Sequence, residues 1–348
     1  MEKVGQQSTT RLASLDGLRG ISIALVLVGH SLKFSFHERI GDLANLGVRT
    51  FFVISGLLIT HLLLRELDKC GSISLSKFFG RRALRIMPPL FAFLAIVFVA
   101  EQLGWLPRSG LGAWLRAVTY TMNYAPVSDR PWHLGHIWSL AVEEQFYLLW
   151  PAAIVVFGAR RSLRGTFAVI LIVPCVRYVT WRYFPEHQDG IKWEFQTVCD
   201  ALAIGCLLAG VRDKLWEHPR YRRIMRSWWP LLLLPAAFAV NWFIVGRPRI
   251  GYLFGITALN VLIALFIEYC VRSPDRIVGR FLAWRPMVAL GTISYSMYLW
   301  QQLFFDAHPQ NVTQTFPLDL VITVALATTS YFALERPLLA WRHRLSRV

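Results

Sequence analysis

The chain has 348 residues, of which 55% are hydrophobic, and its formal net charge is +16. Apolar runs of bilayer-spanning length recur along it, and no polar connection between them is long enough to bury a core of its own. This composition excludes a soluble globular protein. It also indicates that the positive charge faces a membrane surface rather than nucleic acid.

The apolar runs predict an all-α fold, a polytopic transmembrane bundle of about ten helices. We expect one membrane-embedded domain covering residues 1–348. Segment 110–126 is short and amphipathic, which predicts a re-entrant or interfacial helix. The predicted spans lie near residues 17–36, 44–64, 86–106, 136–158, 165–184, 195–211, 227–245, 251–271, 286–305 and 317–335.

Basic residues are concentrated in alternate loops, which predicts that both termini face the cytoplasm and that the number of spans is even. The N-terminal segment is polar and lacks a cleavage pattern, so we expect no cleaved signal peptide. The five cysteines are scattered, which favours neither a metal site nor a disulfide framework. Basic clusters on the predicted inner side include Arg81, Arg82 and Arg85; Arg160, Arg161 and Arg164; and Arg220, Arg222 and Arg223.

The first predicted helix carries three ionisable residues within LDGLRGISIALVLVGH, residues 15–30. At about 100° per residue, Asp16, Arg19 and His30 share one stripe, spread over roughly 20 Å, on an otherwise apolar helix. Such a stripe normally faces a polar cavity or the bundle interior, which favours a functional site. The alternative is an Asp16–Arg19 pair at the interface together with a structural histidine.

The second informative segment is SKFFGRRALRIMPP, residues 76–89. Arg82 and Arg85 are three positions apart and share a helical face, with Arg81 beside them. Pro88 and Pro89 predict a helix start or kink, which would put the arginines at a junction of helix and interface. Clustered guanidinium groups suit a phosphate-bearing ligand, but juxtamembrane arginines also bind anionic lipid and set topology. The spacing leaves both possibilities open.

The third segment is WHLGHIWSLAVEEQFYLLWP, residues 132–151, in which Glu143 and Glu144 interrupt an apolar helix. A carboxylate at membrane depth must be neutral, paired or facing water. Glu143 shares a face with Ser139 and is a candidate to orient a base or hold an acceptor hydroxyl. The alternative is a structural hydrogen bond to an arginine such as Arg177. Asp200 is another isolated acid, among small residues that favour close helix packing.

Six segments resemble, in order and spacing, the motifs of the membrane-bound acyltransferase-3 family, and the resemblance extends from Leu15 to Pro337. This family has about ten helices and moves acyl groups from cytoplasmic acyl-CoA to hydroxyls of carbohydrates or other acceptors. The segments are LDGLRGISIALVLVGH, GVRTFFVISGLLIT, FFGRRALRIMPP, HIWSLAVEEQFYLLWP, CDALAIGCLLAG and LGTISYSMYLW.

The resemblance implies a role for each candidate residue. His30 matches the catalytic histidine, and Asp16 and Glu143 match the acids of the family motifs. The cofactor-binding candidates are Arg19, Arg82 and Arg85, which would hold the phosphates of acyl-CoA, acetyl-CoA in the first instance.

On this model His30 takes the proton of the acceptor hydroxyl as that oxygen attacks the thioester. Asp16 lies roughly 20 Å from His30 along the helix, too far to bond it, and is assigned to Arg19 and to the helix start. Glu143, on another helix, is the candidate to orient His30. A route through an acyl-histidine stays open.

The sequence departs from the family at Gln301, where relatives often carry a histidine. Some relatives also have a C-terminal SGNH hydrolase-like domain, and we expect this chain to act without one.

The implied partners are acyl-CoA, a carbohydrate or lipid-linked sugar, and membrane lipids, at the inner (plasma) membrane of a bacterial-type cell. A secondary transporter or a lipid-binding membrane protein is the alternative, although no inverted repeat is evident. The acceptor and the acyl chain length stay open.

Overall fold

The structure, a computed structural model, describes residues 2–33, 42–305 and 312–342, with side chains for residues 13–31, 43–305 and 312–339. Every regular element in these ranges is helical, which confirms the all-α class. The α-helices are α1 (Glu2–Lys33), α2 (Asp42–Cys70), α3 (Leu75–Gln102), α4 (Leu111–Val118), α5 (Trp132–Gly135), α6 (Ile137–Phe157), α7 (Ala159–Tyr183), α8 (Phe195–Val198), α9 (Asp200–Glu217), α10 (Pro219–Met225), α11 (Leu233–Ile244), α12 (Pro248–Ile250), α13 (Ile256–Arg272), α14 (Ile277–Leu282), α15 (Arg285–Thr292), α16 (Ser294–Trp300), α17 (Leu318–Ser330) and α18 (Arg336–Arg342).

Seven helices in the described ranges are long and apolar enough to cross a membrane, so the chain is a multi-pass membrane protein. An eighth crossing results if the bent pair Pro219–Met225 and Trp229–Ile244, which meets at 65°, counts as one span. The predicted count of about ten and the predicted orientation stay predictions. The candidate spans are Ala13–Ser31, Leu43–Cys70, Leu75–Gln102, Trp132–Phe157, Ala159–Tyr183, Pro248–Arg272 and Leu318–Leu339.

Contacts within the chain define two compact units. The first unit comprises residues 1–62 and 158–294, and the second comprises residues 63–157 and 295–348. The predicted single domain, residues 1–348, extends beyond the described residues at both ends and stays a prediction.

In the first unit, glycines fix the position of α1 against α14 and α15. A Cβ atom at Gly17 would lie 2.1 Å from the carbonyl oxygen of Leu282, and one at Gly291 would lie 1.7 Å from that of Asp16. Only glycine permits backbones to approach this closely. The rotation of α1 about its own axis is therefore fixed, and with it the direction of its polar stripe.

A buried ion pair ties α7 to α9 within the same unit. Arg177 and Asp200 are both fully buried, with bonds of 3.2 Å from Nη1 to Oδ1 and 3.0 Å from Nη2 to Oδ2. Arg177 also donates to Thr257 and to the carbonyls of Thr197 and Tyr252. Because these contacts satisfy the guanidinium, the suggestion that Arg177 bonds Glu143 is wrong.

In the second unit, α3 begins earlier than the prolines predict. Ser74 caps it by accepting a hydrogen bond from the Lys77 amide at 3.5 Å, and the helix continues through Pro88 and Pro89. A helix start at the two prolines is therefore wrong, because Arg82 and Arg85 lie inside a continuous helix. The predicted place of these arginines at the membrane interface stays a prediction. Tyr295 donates from its hydroxyl to the Ile86 carbonyl, 2.8 Å away, close to the two prolines.

The predicted spans at 195–211 and 286–305 are not single long helices. The first consists of α8 and α9, and α9 ends in charged residues as far as Glu217. The second consists of α15, α16 and a 3₁₀ turn at Gln301–Leu303. An apolar run shows where hydrophobic side chains lie, but it does not show where the helix breaks.

Candidate active site

In the second unit, the turn between α2 and α3 separates one arginine of the basic segment from the other two. Glu66, nearly fully buried, accepts the Ser74 amide at 2.8 Å and pairs with Arg81 at 3.4 Å. Arg81 is therefore neutralised locally by a carboxylate that also holds the turn. Its role is structural, although its spacing in the sequence resembles that of its neighbours.

Arg82 and Arg85 have a different environment. Their guanidinium groups make no hydrogen bond or ion pair among the described residues. The guanidinium carbon of Arg82 lies 4.9 Å from the ring centroid of Tyr147 and 5.8 Å from that of Phe78. Aromatic rings stabilise a cation without using its N–H donors, and each arginine keeps five of these.

The acidic groups near these arginines come from α6. Tyr147, on the same helix, donates from its hydroxyl to Oε2 of Glu143 at 3.3 Å. Oε1 of Glu144 is buried and has no hydrogen-bond partner among the described residues. The charges of Glu143, Glu144 and Arg85 all act on Arg82. The cluster therefore consists of two arginines, two carboxylates and the Tyr147 ring.

The structure thus brings together three predicted residues, Arg82, Arg85 and Glu143. The other three, Asp16, Arg19 and His30, lie half-buried on α1 in the first unit. Since α1 is unbroken from Glu2 to Lys33, the rise from Arg19 to His30 is roughly 16 Å, as the sequence predicts. The roles of all six residues, including the proposed pairing of Glu143 with His30, stay predictions.

Sequence reasoning predicted a re-entrant or interfacial helix over 110–126 but missed the contacts that the loop at the end of this segment makes with α6, next to Glu144. The side-chain amides of Asn123 and Gln145 bond each other at 3.2 and 3.0 Å, and Gln145 also donates to the Tyr120 carbonyl at 2.9 Å. Tyr120 has a positive φ of 54°, uncommon for a bulky residue. Burial, reinforced by the charge of Glu144, raises the pKa of its hydroxyl. Only the polar character of Asn123 and Gln145 in the sequence pointed to this loop.

Ser139, which shares a face with Glu143, has a structural environment. Its hydroxyl lies 2.6 Å from the Tyr298 hydroxyl, and both hydroxyls are within hydrogen-bond distance of the His136 carbonyl. The His136 ring packs edge-on against Phe93. These contacts fix the start of α6 and so the position of Glu143. Among the described residues, no group of three or more His, Cys, Asp or Glu side chains is arranged to hold a metal ion.

The fold and this cluster describe a multi-pass membrane protein with two arginines and two carboxylates grouped between α3 and α6. A family model described as an acyltransferase domain matches residues 12–336, so the chain belongs to this family, the acyltransferase-3 family. The resemblance inferred from the six motifs is therefore confirmed.

Two relatives illustrate the similarity. The chain is 27% identical to O-acetyltransferase OatA of Staphylococcus aureus over 94% of its length and 57% of that protein. It is 26% identical to peptidoglycan O-acetyltransferase OatA of Listeria monocytogenes over 97% of its length and 57% of that protein. The chain thus spans little more than half the length of these curated relatives. No solved structure matches it.

Proposed function

We propose that the chain transfers an acyl group, acetyl in the first instance, from cytoplasmic acyl-CoA to a hydroxyl of a carbohydrate or glycolipid. Membership of an acyltransferase family favours an enzyme over a transporter or a lipid-binding protein. The names of these relatives, O-acetyltransferase and peptidoglycan O-acetyltransferase, favour acetyl as the group and a peptidoglycan sugar as the acceptor. Multi-pass helices and these relatives support a location in the inner (plasma) membrane.

The observation that carries the donor assignment is the contrast between Arg81 and its neighbours. Arg81 is paired with Glu66, whereas Arg82, beside the Tyr147 ring, and Arg85 keep their N–H donors available. Acyl-CoA carries a 3′-phosphate and a pyrophosphate, and guanidinium groups bind such oxygens in bidentate fashion. On this proposal Arg82 and Arg85 bind CoA phosphates, and Arg19 contributes from α1.

The proposed chemistry is direct acyl transfer. Neutral His30 accepts the proton of the acceptor hydroxyl as its oxygen attacks the thioester carbonyl, a contribution typically worth about 10²–10⁴-fold in rate. The carbon–sulfur bond then breaks, and the CoA thiolate leaves and takes up a proton. Asp16 balances Arg19 at the start of the span. Glu143, held by Tyr147, is assigned to orienting the base.

The proposed topology has about ten spans with both termini in the cytoplasm. It would put Arg82 and Arg85 at the inner face, where acyl-CoA is made, and His30 roughly three turns from the inner boundary. Donor and acceptor would then enter from opposite faces.

The test uses the full chain reconstituted in sealed vesicles, with its predicted cytoplasmic face outward. Labelled acetyl-CoA is added outside, and an N-acetylglucosamine oligomer is trapped inside. We expect label on the trapped oligomer. We also expect the transfer rate of His30→Gln to be at least about 100-fold lower than that of the parent chain. The matched control is His187→Gln, because His187 is an exposed histidine. Transfer by His30→Gln within a few-fold of the parent chain would contradict the assignment.

A second arm tests the donor site through acetyl-CoA affinity. Arg82→Ala should weaken binding by about tenfold or more, whereas Arg161→Ala, which removes an exposed basic residue on α7, should not. Equal effects of the two variants would favour a general attraction to anionic surfaces. In the vesicle experiment, oligomer can also be added outside together with the donor. If label appears only on that outside oligomer, the acceptor belongs in the cytoplasm.

A further inference from the structure

The far end of α3 holds a carboxylate with an unusually complete set of donors. Glu101, nearly fully buried, accepts hydrogen bonds from the Ser109 amide at 3.1 Å, the Ser109 hydroxyl at 2.5 Å, Trp114 Nε1 at 3.2 Å and His133 Nε2 at 2.8 Å. A carboxylate has about four lone-pair positions. Glu101 is therefore saturated, and its neighbours are held firmly around it.

This arrangement fixes the proton on His133. Since Nε2 lies 2.8 Å from an ionised acceptor, Nε2 carries the hydrogen and Nδ1 carries the lone pair. The Ser109 hydroxyl is 3.0 Å from the same Nε2 and gives its proton to Glu101. Ser109 and Glu101 are thus both within hydrogen-bond distance of Nε2 of His133. A Ser–His–acid relay uses both nitrogens of the ring, so this arrangement excludes such a relay. Nδ1 has no hydrogen-bond partner among the described residues.

The His133 ring lines a cavity of about 150 Å³ inside the second unit. Gln302 lines it too and is only 4% exposed. Its amide oxygen accepts from Gln301 at 2.9 Å, and its amide nitrogen has no partner in the described part of the chain. Among its lining residues, the cavity therefore has one candidate acceptor, His133 Nδ1, and one candidate donor, Gln302 Nε2. Its lining residues are Leu106, Pro107, Pro131, Trp132, His133, Gln302, Leu303 and Gln314.

The volume of the cavity is enough for a six-membered ring. A cavity of about this volume is known to admit benzene. The Trp132 indole forms part of the wall and is fixed by a bond from Nε1 to the Phe305 carbonyl at 2.8 Å. An indole face packs against the C–H face of a sugar, while amide and imidazole groups bond to hydroxyls. A polar ligand in the cavity would give His133 Nδ1 and Gln302 Nε2 the hydrogen bonds that they lack among the described residues.

The position of the cavity also separates it from the arginine cluster. Glu101 is nineteen residues after Arg82 on α3, a rise of roughly 28 Å, close to the thickness of the hydrocarbon core. The proposed topology puts this end of α3 at the outer face, where a cell-envelope acceptor would arrive.

We propose that this cavity binds one pyranose ring of the carbohydrate acceptor. His133 Nδ1 accepts a hydrogen bond from a sugar hydroxyl, Gln302 Nε2 donates to a sugar oxygen, and Trp132 packs against the ring. The proposal rests on the proposed function for the identity of the acceptor, but it assigns residues and a location that the donor site does not involve.

The test measures binding without catalysis, by saturation-transfer NMR with an N-acetylglucosamine tetramer and the full chain in nanodiscs. His133→Gln keeps a donor at the position of Nε2, so Glu101 stays satisfied, but it removes the acceptor at Nδ1. Gln302→Leu removes the donor with little change in volume. We expect each variant to lose at least about tenfold in affinity, since each leaves one sugar group unmatched.

Two controls separate this proposal from the proposed function. Arg82→Ala should lose acetyl-CoA affinity and keep oligomer affinity, and His187→Gln should keep both. Full oligomer affinity in both cavity variants, with the melting temperature of the parent, would overturn the cavity assignment even if acyl transfer occurs. Failure of the parent chain to bind the oligomer would overturn it too. A third outcome is possible: the parent chain binds the oligomer, the cavity variants do not, and the parent chain transfers no acyl group. That outcome would support the cavity assignment and contradict the proposed function.

Discussion

Removing Arg177 gives the sharpest test of how the first unit is held together. Arg177→Met keeps the length and apolar stem of the side chain, but it leaves the Asp200 carboxylate fully buried without its cation. Removing one partner of a buried pair typically costs about 3–5 kcal/mol. Arg177 also donates to Thr257 and to the carbonyls of Thr197 and Tyr252, which would lose a donor. We therefore expect a loss at the upper end of that range.

The double variant Arg177→Met with Asp200→Leu separates the ion pair from the rest of the network. It removes the stranded charge, and replacing a buried pair with apolar residues is often close to neutral, so part of the stability should return. Recovery should be incomplete because the two carbonyls and Thr257 still lack partners.

The measurement is thermal unfolding of the purified chain in one detergent. The matched control is Arg161→Met, an exposed arginine on the same helix, with an expected change within about 0.5 kcal/mol. Equal melting temperatures for Arg177→Met and Arg161→Met would refute the reasoning.

Two further predictions follow from contacts in each unit. Tyr147→Phe keeps the ring beside Arg82 and should leave acetyl-CoA affinity within about threefold, whereas Tyr147→Leu should weaken it further because a cation–π contact contributes about 0.5–2 kcal/mol. An equal effect of both variants in a binding titration would mean that the hydroxyl, not the ring, matters. Gly291→Ala should lower the melting temperature, since its Cβ would lie 1.7 Å from the Asp16 carbonyl oxygen. Gly165→Ala on α7, where a Cβ would meet nothing within 4 Å, should leave the melting temperature unchanged or raise it. A change of the same sign and size in Gly291→Ala and Gly165→Ala would contradict the close-packing argument.

Hydrophobicity predicted the class of fold well but not its interruptions. The long apolar runs correspond to helices because lipid requires every backbone group to be satisfied within a segment. The start of α3 was misjudged because Pro88 and Pro89 look like helix boundaries, yet the helix begins at Leu75 and continues through them. The break between α15 and α16, at Ile293, has no proline to mark it.

The site was predictable where its residues are close in sequence. Arg82 and Arg85 share a face by spacing alone, and Glu143 was noticed because it interrupts an apolar helix. The partners that give these residues their properties are distant in sequence. Nothing local distinguishes Arg81, which Glu66 neutralises, from Arg82, which lies beside Tyr147. Glu101 and His133 resemble ordinary polar residues at helix ends, and only the fold reveals that they bond.

In a membrane protein, the presence of a buried polar group does not by itself indicate function. Whether that group has hydrogen-bond partners distinguishes a structural role from a functional one more clearly. Glu101 has four donors and Asp200 has a bidentate arginine, so neither needs a ligand. Glu144 keeps a buried oxygen without a hydrogen-bond partner, and Arg85 and His133 each keep a polar atom without a partner among the described residues. On the proposed function, these atoms, in two places, are the ones that the bound donor and acceptor would satisfy. One place carries cationic donors suited to phosphate, and the other carries a neutral acceptor and a neutral donor suited to a sugar. This difference in charge is what a donor and an acceptor of acyl transfer would require.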